Sequence, residues 1–86
     1  MEVKYSDTAL KDIKYWKKTN NIIIQKRIQE LIKAIELSPY TGTGNPEALK
    51  HELAGYWSRR INKEHRIIYK VENNIIFIDT LRHHYK

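Results

Sequence analysis

His65-Arg66-Ile67-Ile68-Tyr69-Lys70-Val71-Glu72-Asn73-Asn74-Ile75-Ile76-Phe77-Ile78-Asp79-Thr80-Leu81-Arg82 reads as two β-strands folded back on each other. β-Branched and aromatic residues crowd both sides of Asn73-Asn74, a pair that tolerates the positive φ of a tight hairpin turn. Strands are therefore expected over His65–Val71 and Ile75–Arg82. With a two-residue turn, Ile67, Tyr69 and Val71 share one face with Ile76, Ile78 and Thr80. That face is apolar and needs a cover. Arg66, Ile68 and Lys70 point to the other, open face.

Upstream, Tyr56–Ile61 supplies a third strand, joined to the hairpin through Asn62-Lys63-Glu64. A three-residue turn there sets Arg60 directly opposite Arg66 on the open face. Like charges so placed destabilise a strand pair, and the arrangement makes sense when an anion sits between them. Lys50 to Gly55 is expected to add a short strand. Pro39-Tyr40-Thr41-Gly42-Thr43-Gly44-Asn45-Pro46 is a loop; its Gly-x-Gly does not open a helix in a βαβ unit, so a dinucleotide site is rejected.

The cover for the apolar face lies further upstream. Ile24, Ile28, Leu31, Ile32 and Ile35 form a single helical stripe that stops near Leu37-Ser38, because Pro39 disfavours helical geometry in the residue before it. An earlier helix is capped by Ser6, with Leu10, Ile13 and Trp16 expected in the core and Lys11, Lys14, Lys17 and Lys18 on its other faces. Thr19-Asn20-Asn21 separates the two helices. Val3 and Tyr5 suit a short edge strand. The expected fold is α+β: two N-terminal helices packed on one face of a small, largely antiparallel sheet of four to five strands.

Eighty-six residues make a single domain over 1–86, and a body this small buries only about 60% of its unfolded surface. Without cysteine it has no disulfide or thiolate metal site. Sixteen Lys and Arg against ten Asp and Glu give a formal charge of +6, which favours polyanionic partners such as RNA, DNA and ribosomes. No apolar run approaches the ~20 residues of a membrane span, and Met1-Glu2-Val3-Lys4-Tyr5 lacks a secretory apolar region. The expected location is the cytoplasm, with no membrane partner.

Chemistry-bearing residues gather between Glu47 and Tyr85. A carboxylate (Glu47), basic residues (Lys50, Arg59, Arg60, Arg66) and a terminal His83-His84-Tyr85 are the parts needed to cleave a phosphodiester without a metal: a base, fixed positive charge and an acid. Each has a plainer reading. Glu47 alone suits a solvated loop, the arginines suit the polar outer face of a sheet, and terminal histidines are usually unimportant. His51 and His65 read as structural. Trp57 suits the core, an interface or, with Tyr85, the stacking of a splayed base. No His-x-x-x-His or paired carboxylate spacing supports a metal site, and no cofactor is expected.

Pro46-Glu47-x-Leu49-Lys50-His51, Gly55-x-Trp57-Ser58-Arg59-Arg60-Ile61, Glu64-His65-Arg66-x-x-Tyr69 and the closing Arg82-x-His84-Tyr85 resemble the YoeB (Txe) toxins of bacterial type II toxin–antitoxin systems, within the RelE/ParE superfamily. The resemblance implies a microbial-RNase-like (RelE-like) fold and an endoribonuclease that cuts messenger RNA in the ribosomal A site. Carried over by position, it makes Glu47 the general base, Arg66 the phosphate-binding arginine and His84 the general acid. Lys50, Arg60 and Tyr85 become RNA contacts. His83, beside the matched His84, and Lys86, beyond Tyr85, depart from the pattern. The implied partners are a YefM-like antitoxin, expected to be acidic and partly disordered, together with the ribosome and its mRNA; a homodimer stays open. Two other readings are a ParE-type toxin that binds DNA gyrase without catalysis and a plain RNA-binding module.

Overall fold

The computed structural model describes residues 1–84, the last of them through its backbone. The elements are β1 (Glu2–Tyr5), α1 (Asp7–Lys18), α2 (Ile22–Leu37), β2 (Glu47–Ala48), a single 3₁₀ turn (His51–Leu53), β3 (Trp57–Arg60), β4 (His65–Glu72) and β5 (Ile75–His84). Asn73 and Asn74 take φ of 50° and 62°, closing the β4–β5 hairpin as their side chains allow. One five-stranded sheet results, ordered β1-β5-β4-β3-β2. It is antiparallel except where β1 runs parallel to β5.

Both helices lie on the face predicted to need a cover. Trp16, Ile24, Ile28, Leu31 and Ile35 meet Ile61, Ile67, Tyr69, Ile76, Ile78 and Leu81 in one buried cluster. Ser6 and Asn21 cap the helices, accepting from the Ala9 and Ile24 amides. Among the described residues no helix is long and apolar enough to cross a membrane.

Three expectations change. Leu10 is not core but 46% exposed, and α1 instead turns Ala9, Asp12 and Trp16 inward. A strict three-residue spacing drifts round a helix, and the small Ala9 and the charged Asp12 concealed the true stripe. The strand expected over Lys50–Gly55 is the 3₁₀ turn, because His51 (φ 59°) and Gly55 (φ 93°) have backbones no strand accommodates; the short strand lies earlier, at Glu47–Ala48. Thr80 still turns its hydroxyl toward α1, where it donates to Asp12, but it pairs with Ile68 rather than Ile67, because β5 carries bulges beyond Ile78.

Arg59 and Arg60 look alike in sequence but lie on opposite faces. Arg59, opposite Ile67, is fully buried on the helix side. Its guanidinium donates to the carbonyls of Ser38, Thr41 (2.8 Å) and Thr43 (3.0 Å) and to the Tyr69 hydroxyl (3.2 Å). Tyr69 in turn donates to the Pro39 carbonyl at 2.6 Å. These bonds pin the 38–43 segment that leads to β2. Gly44 closes the same packing: at φ 87°, a Cβ there would lie 2.9 Å from Leu31 Cδ2.

Candidate active site

Cross-strand register builds the open face in rungs. Glu47 of β2 pairs with Ser58, which pairs with Ile68. One rung along, Arg60 pairs with Arg66, and Arg66 with His83. The expected three-residue turn is present: the Ile61 amide donates to the His65 carbonyl, and Asn62 Oδ1 accepts the Glu64 and His65 amides. That turn fixes the Arg60–Arg66 opposition.

The two rungs touch at Arg66. Its Nη1 lies 3.4 Å from Glu47 Oε2 and 3.2 Å from Ser58 Oγ. The Arg66 side chain is 5% exposed and that of Glu47 54%, so a buried guanidinium holds a carboxylate that is open to solvent. Arg60 and His83 are exposed on the same rung, and Lys50 is exposed three residues after Glu47. Ser58, which sequence reasoning passed over, is buried and orients Arg66. Its position two residues before Arg60 was the available signal, since alternation puts both on one face.

Not all of the expected residues converge on this face. Trp57 lies on the helix side and stacks on Tyr40 with ring centroids 4.7 Å apart, so it offers no base platform beside Glu47. His65 is buried edge-on against Trp16, in the structural role expected of it. The backbone of His84 pairs with His65 at the end of β5. The His84 side chain and Tyr85 lie outside the described residues.

Further along the open face, Lys70 Nζ sits 5.1 Å from the Tyr56 ring and 5.6 Å from that of Phe77. A 3.2 Å contact with Glu72 holds Lys70 and raises its pKa above the ordinary value, through the hydrogen bond first and charge second. Basic and aromatic groups thus continue beyond the Glu47–Arg66 contact. A carboxylate in reach of water, backed by guanidinium groups on an exposed sheet face, can accept a proton beside a bound phosphate.

Two helices over one face of such a sheet make the architecture of a solved toxin, the YoeB/ParE toxin from Agrobacterium tumefaciens. It superposes with a TM-score of 0.93 at 34% identity, over 99% of this chain and all of that one. The family profile described as "YoeB-like toxin of bacterial type II toxin-antitoxin system" matches residues 5–85. Toxin YoeB of Escherichia coli K12 is 44% identical over 85 residues, 99% of this chain and 100% of that protein. YoeB of Staphylococcus aureus, solved in a heterotetrameric complex with YefM and as a dimer, is 42% identical in both, with TM-scores of 0.89 and 0.90 over 99% of this chain and 98% of each solved chain. The chain belongs to the YoeB family of toxins of bacterial type II toxin–antitoxin systems.

Proposed function

We propose that this toxin is an endoribonuclease that cuts messenger RNA in the ribosomal A site and so halts translation in the bacterial cytoplasm. The observation that carries the reading is the contact of Glu47 with Arg66, in a sheet whose neighbouring strands set Arg60 of β3 and His83 of β5 opposite Arg66. RNA supplies its own nucleophile. Glu47 takes the proton of the 2′-hydroxyl, O2′ bonds to the adjacent phosphorus, and the P–O5′ bond breaks as His84 gives its proton to O5′. The products are a 2′,3′-cyclic phosphate and a 5′-hydroxyl end, with no metal or cofactor in the balance. Phosphate oxygens replace Glu47 as the partner of Arg66, which frees the carboxylate for the 2′-hydroxyl. Arg60 meets the phosphate from the exposed edge, while Lys50 and Tyr85 hold the RNA backbone and a base.

Magnitudes explain why the ribosome belongs in the mechanism. General acid–base help is worth roughly 10²–10⁴ in rate. Aligning O2′ with the leaving oxygen is worth up to about 7–11 kcal/mol, and a small open face cannot impose that on a free strand. A ribosome holding the message bent can. An acidic, partly disordered antitoxin of the YefM type is the expected inhibitor, wrapping the basic face and folding as it binds, and a second copy of the chain is a further partner. The test is to incubate the protein with programmed ribosomes and map 5′ ends. Cuts are expected with the wild type and not with Glu47→Gln or His84→Ala; intact message with the wild type overturns the reading.

A further inference from the structure

We infer that Asp12 of α1 is a positioning residue for the active face, acting through the β5 bulge rather than on RNA; the inference rests on the nuclease reading above. From Ile78 to His83, β5 advances five residues while its partner β4 advances three, from Tyr69 to Arg66. Two residues are therefore taken up outside the ladder, about 7 Å of strand. Had the register at Val71–Ile76 and Tyr69–Ile78 continued, Leu81 would stand opposite Arg66. His83 would then fall opposite Glu64, in the turn beyond β4. The bulge draws the end of the strand back, so that His83 lies opposite Arg66 and His84 opposite His65.

No glycine or proline makes this bulge; side chains from the start of the chain hold it. Asp12, buried, accepts with one oxygen from Thr80 Oγ1 at 2.8 Å and from the Leu81 amide at 2.9 Å. Trp16 Nε1 donates to the Leu81 carbonyl at 3.0 Å. Ser6, the α1 cap, donates its hydroxyl to the Asp79 carbonyl. Both backbone polar groups of Leu81 are thereby satisfied by α1, and its side chain turns into the core. A regular ladder would keep the Leu81 amide in the plane of the sheet and leave Asp12 buried with the Thr80 hydroxyl alone, so the bulged register is the one α1 accepts.

The experiment pairs ribosome-dependent cleavage with NMR on the whole protein. In the wild type, and in Asp12→Asn, whose amide oxygen can accept both bonds, cross-strand contacts between the Arg66 and His83 backbones are expected and cleavage rates stay within about threefold of each other. Asp12→Ala is expected to lose those contacts and to cut about 100-fold more slowly at saturating ribosomes, the scale of an ångström-level misplacement. The ribosome concentration at half-maximal rate should not move, which separates positioning from RNA binding. Asp12→Ala that keeps both the contacts and the rate overturns the inference. If that variant does not fold, Thr80→Val decides in its place: it deletes only one donor to Asp12, must weaken the Arg66–His83 contacts and slow cleavage, and overturns the inference if it does neither. Should the wild type cut no message, the nuclease reading falls, while the NMR contacts still decide whether Asp12 sets the register.

Discussion

Arg59→Lys tests the architecture most sharply, because it keeps a charge and removes a shape. The guanidinium reaches three carbonyls and a phenol at once, and Ser38, the residue that ends α2, is among them. It thereby places positive charge at the negative end of a helix dipole. An ammonium is a point donor on a shorter arm and satisfies one or two of the four acceptors. Two buried acceptors left bare cost about 1–3 kcal/mol each, so a loss of roughly 3–5 kcal/mol is expected after partial relaxation. Set against about 4–13 kcal/mol for a domain of this length, that is a large share. Urea unfolding should show the midpoint falling by roughly 3–5 M at an unchanged slope of about 1 kcal/mol per molar. Arg60→Lys, one residue on and exposed, should stay within about 0.5 kcal/mol. A loss below about 1 kcal/mol for Arg59→Lys would refute the clamp.

Gly44 and Gly55 have similar positive φ, 87° and 93°, but only Gly44 is packed, so Gly44→Ala should cost at least about 1 kcal/mol more than Gly55→Ala in the same urea assay. Burial raises the Tyr69 phenol above its ordinary value of 10.0, the Arg59 hydrogen bond opposing. The folded state thus holds this proton more tightly than the unfolded chain, so the stability it adds is complete below pH 10 and is lost as pH rises from there toward the folded value. The stability gap between the wild type and Tyr69→Phe should therefore narrow above pH 10 and stay constant below it. Ser58→Ala leaves Arg66 with fewer bonds to fix it; cleavage should slow while antitoxin affinity, measured by titration calorimetry, holds.

The hairpin and the Arg60–Arg66 rung were legible because local chemistry specifies both: two asparagines at positive φ and a three-residue turn set by Asn62. The stripe of α2 was legible for a similar reason, since five aliphatic residues repeat at the helical period. The bulge was not. Its cause lies 69 positions away in Asp12, and no residue of Asp79-Thr80-Leu81 announces it. Leu10 misled because a large apolar residue outweighs alanine in any periodicity count, yet packing chose the small side chain where α1 meets the sheet. Arg59 and Arg60 could have been told apart by strand alternation alone, which places one with Ile67 and the other with Arg66. The roles given to Glu47 and His84 came from family resemblance; no pattern of spacing assigns a base or an acid.

β5 comes last in the sequence and yet lies inside the sheet, between β1 and β4. The α1 side chains that grip it are among the first to be made. A growing polypeptide therefore holds β3, β4 and both helices in hand without a strand to join them to β1. The sheet closes only once residues near 84 have left the exit tunnel, and with it the surface that bears Arg66.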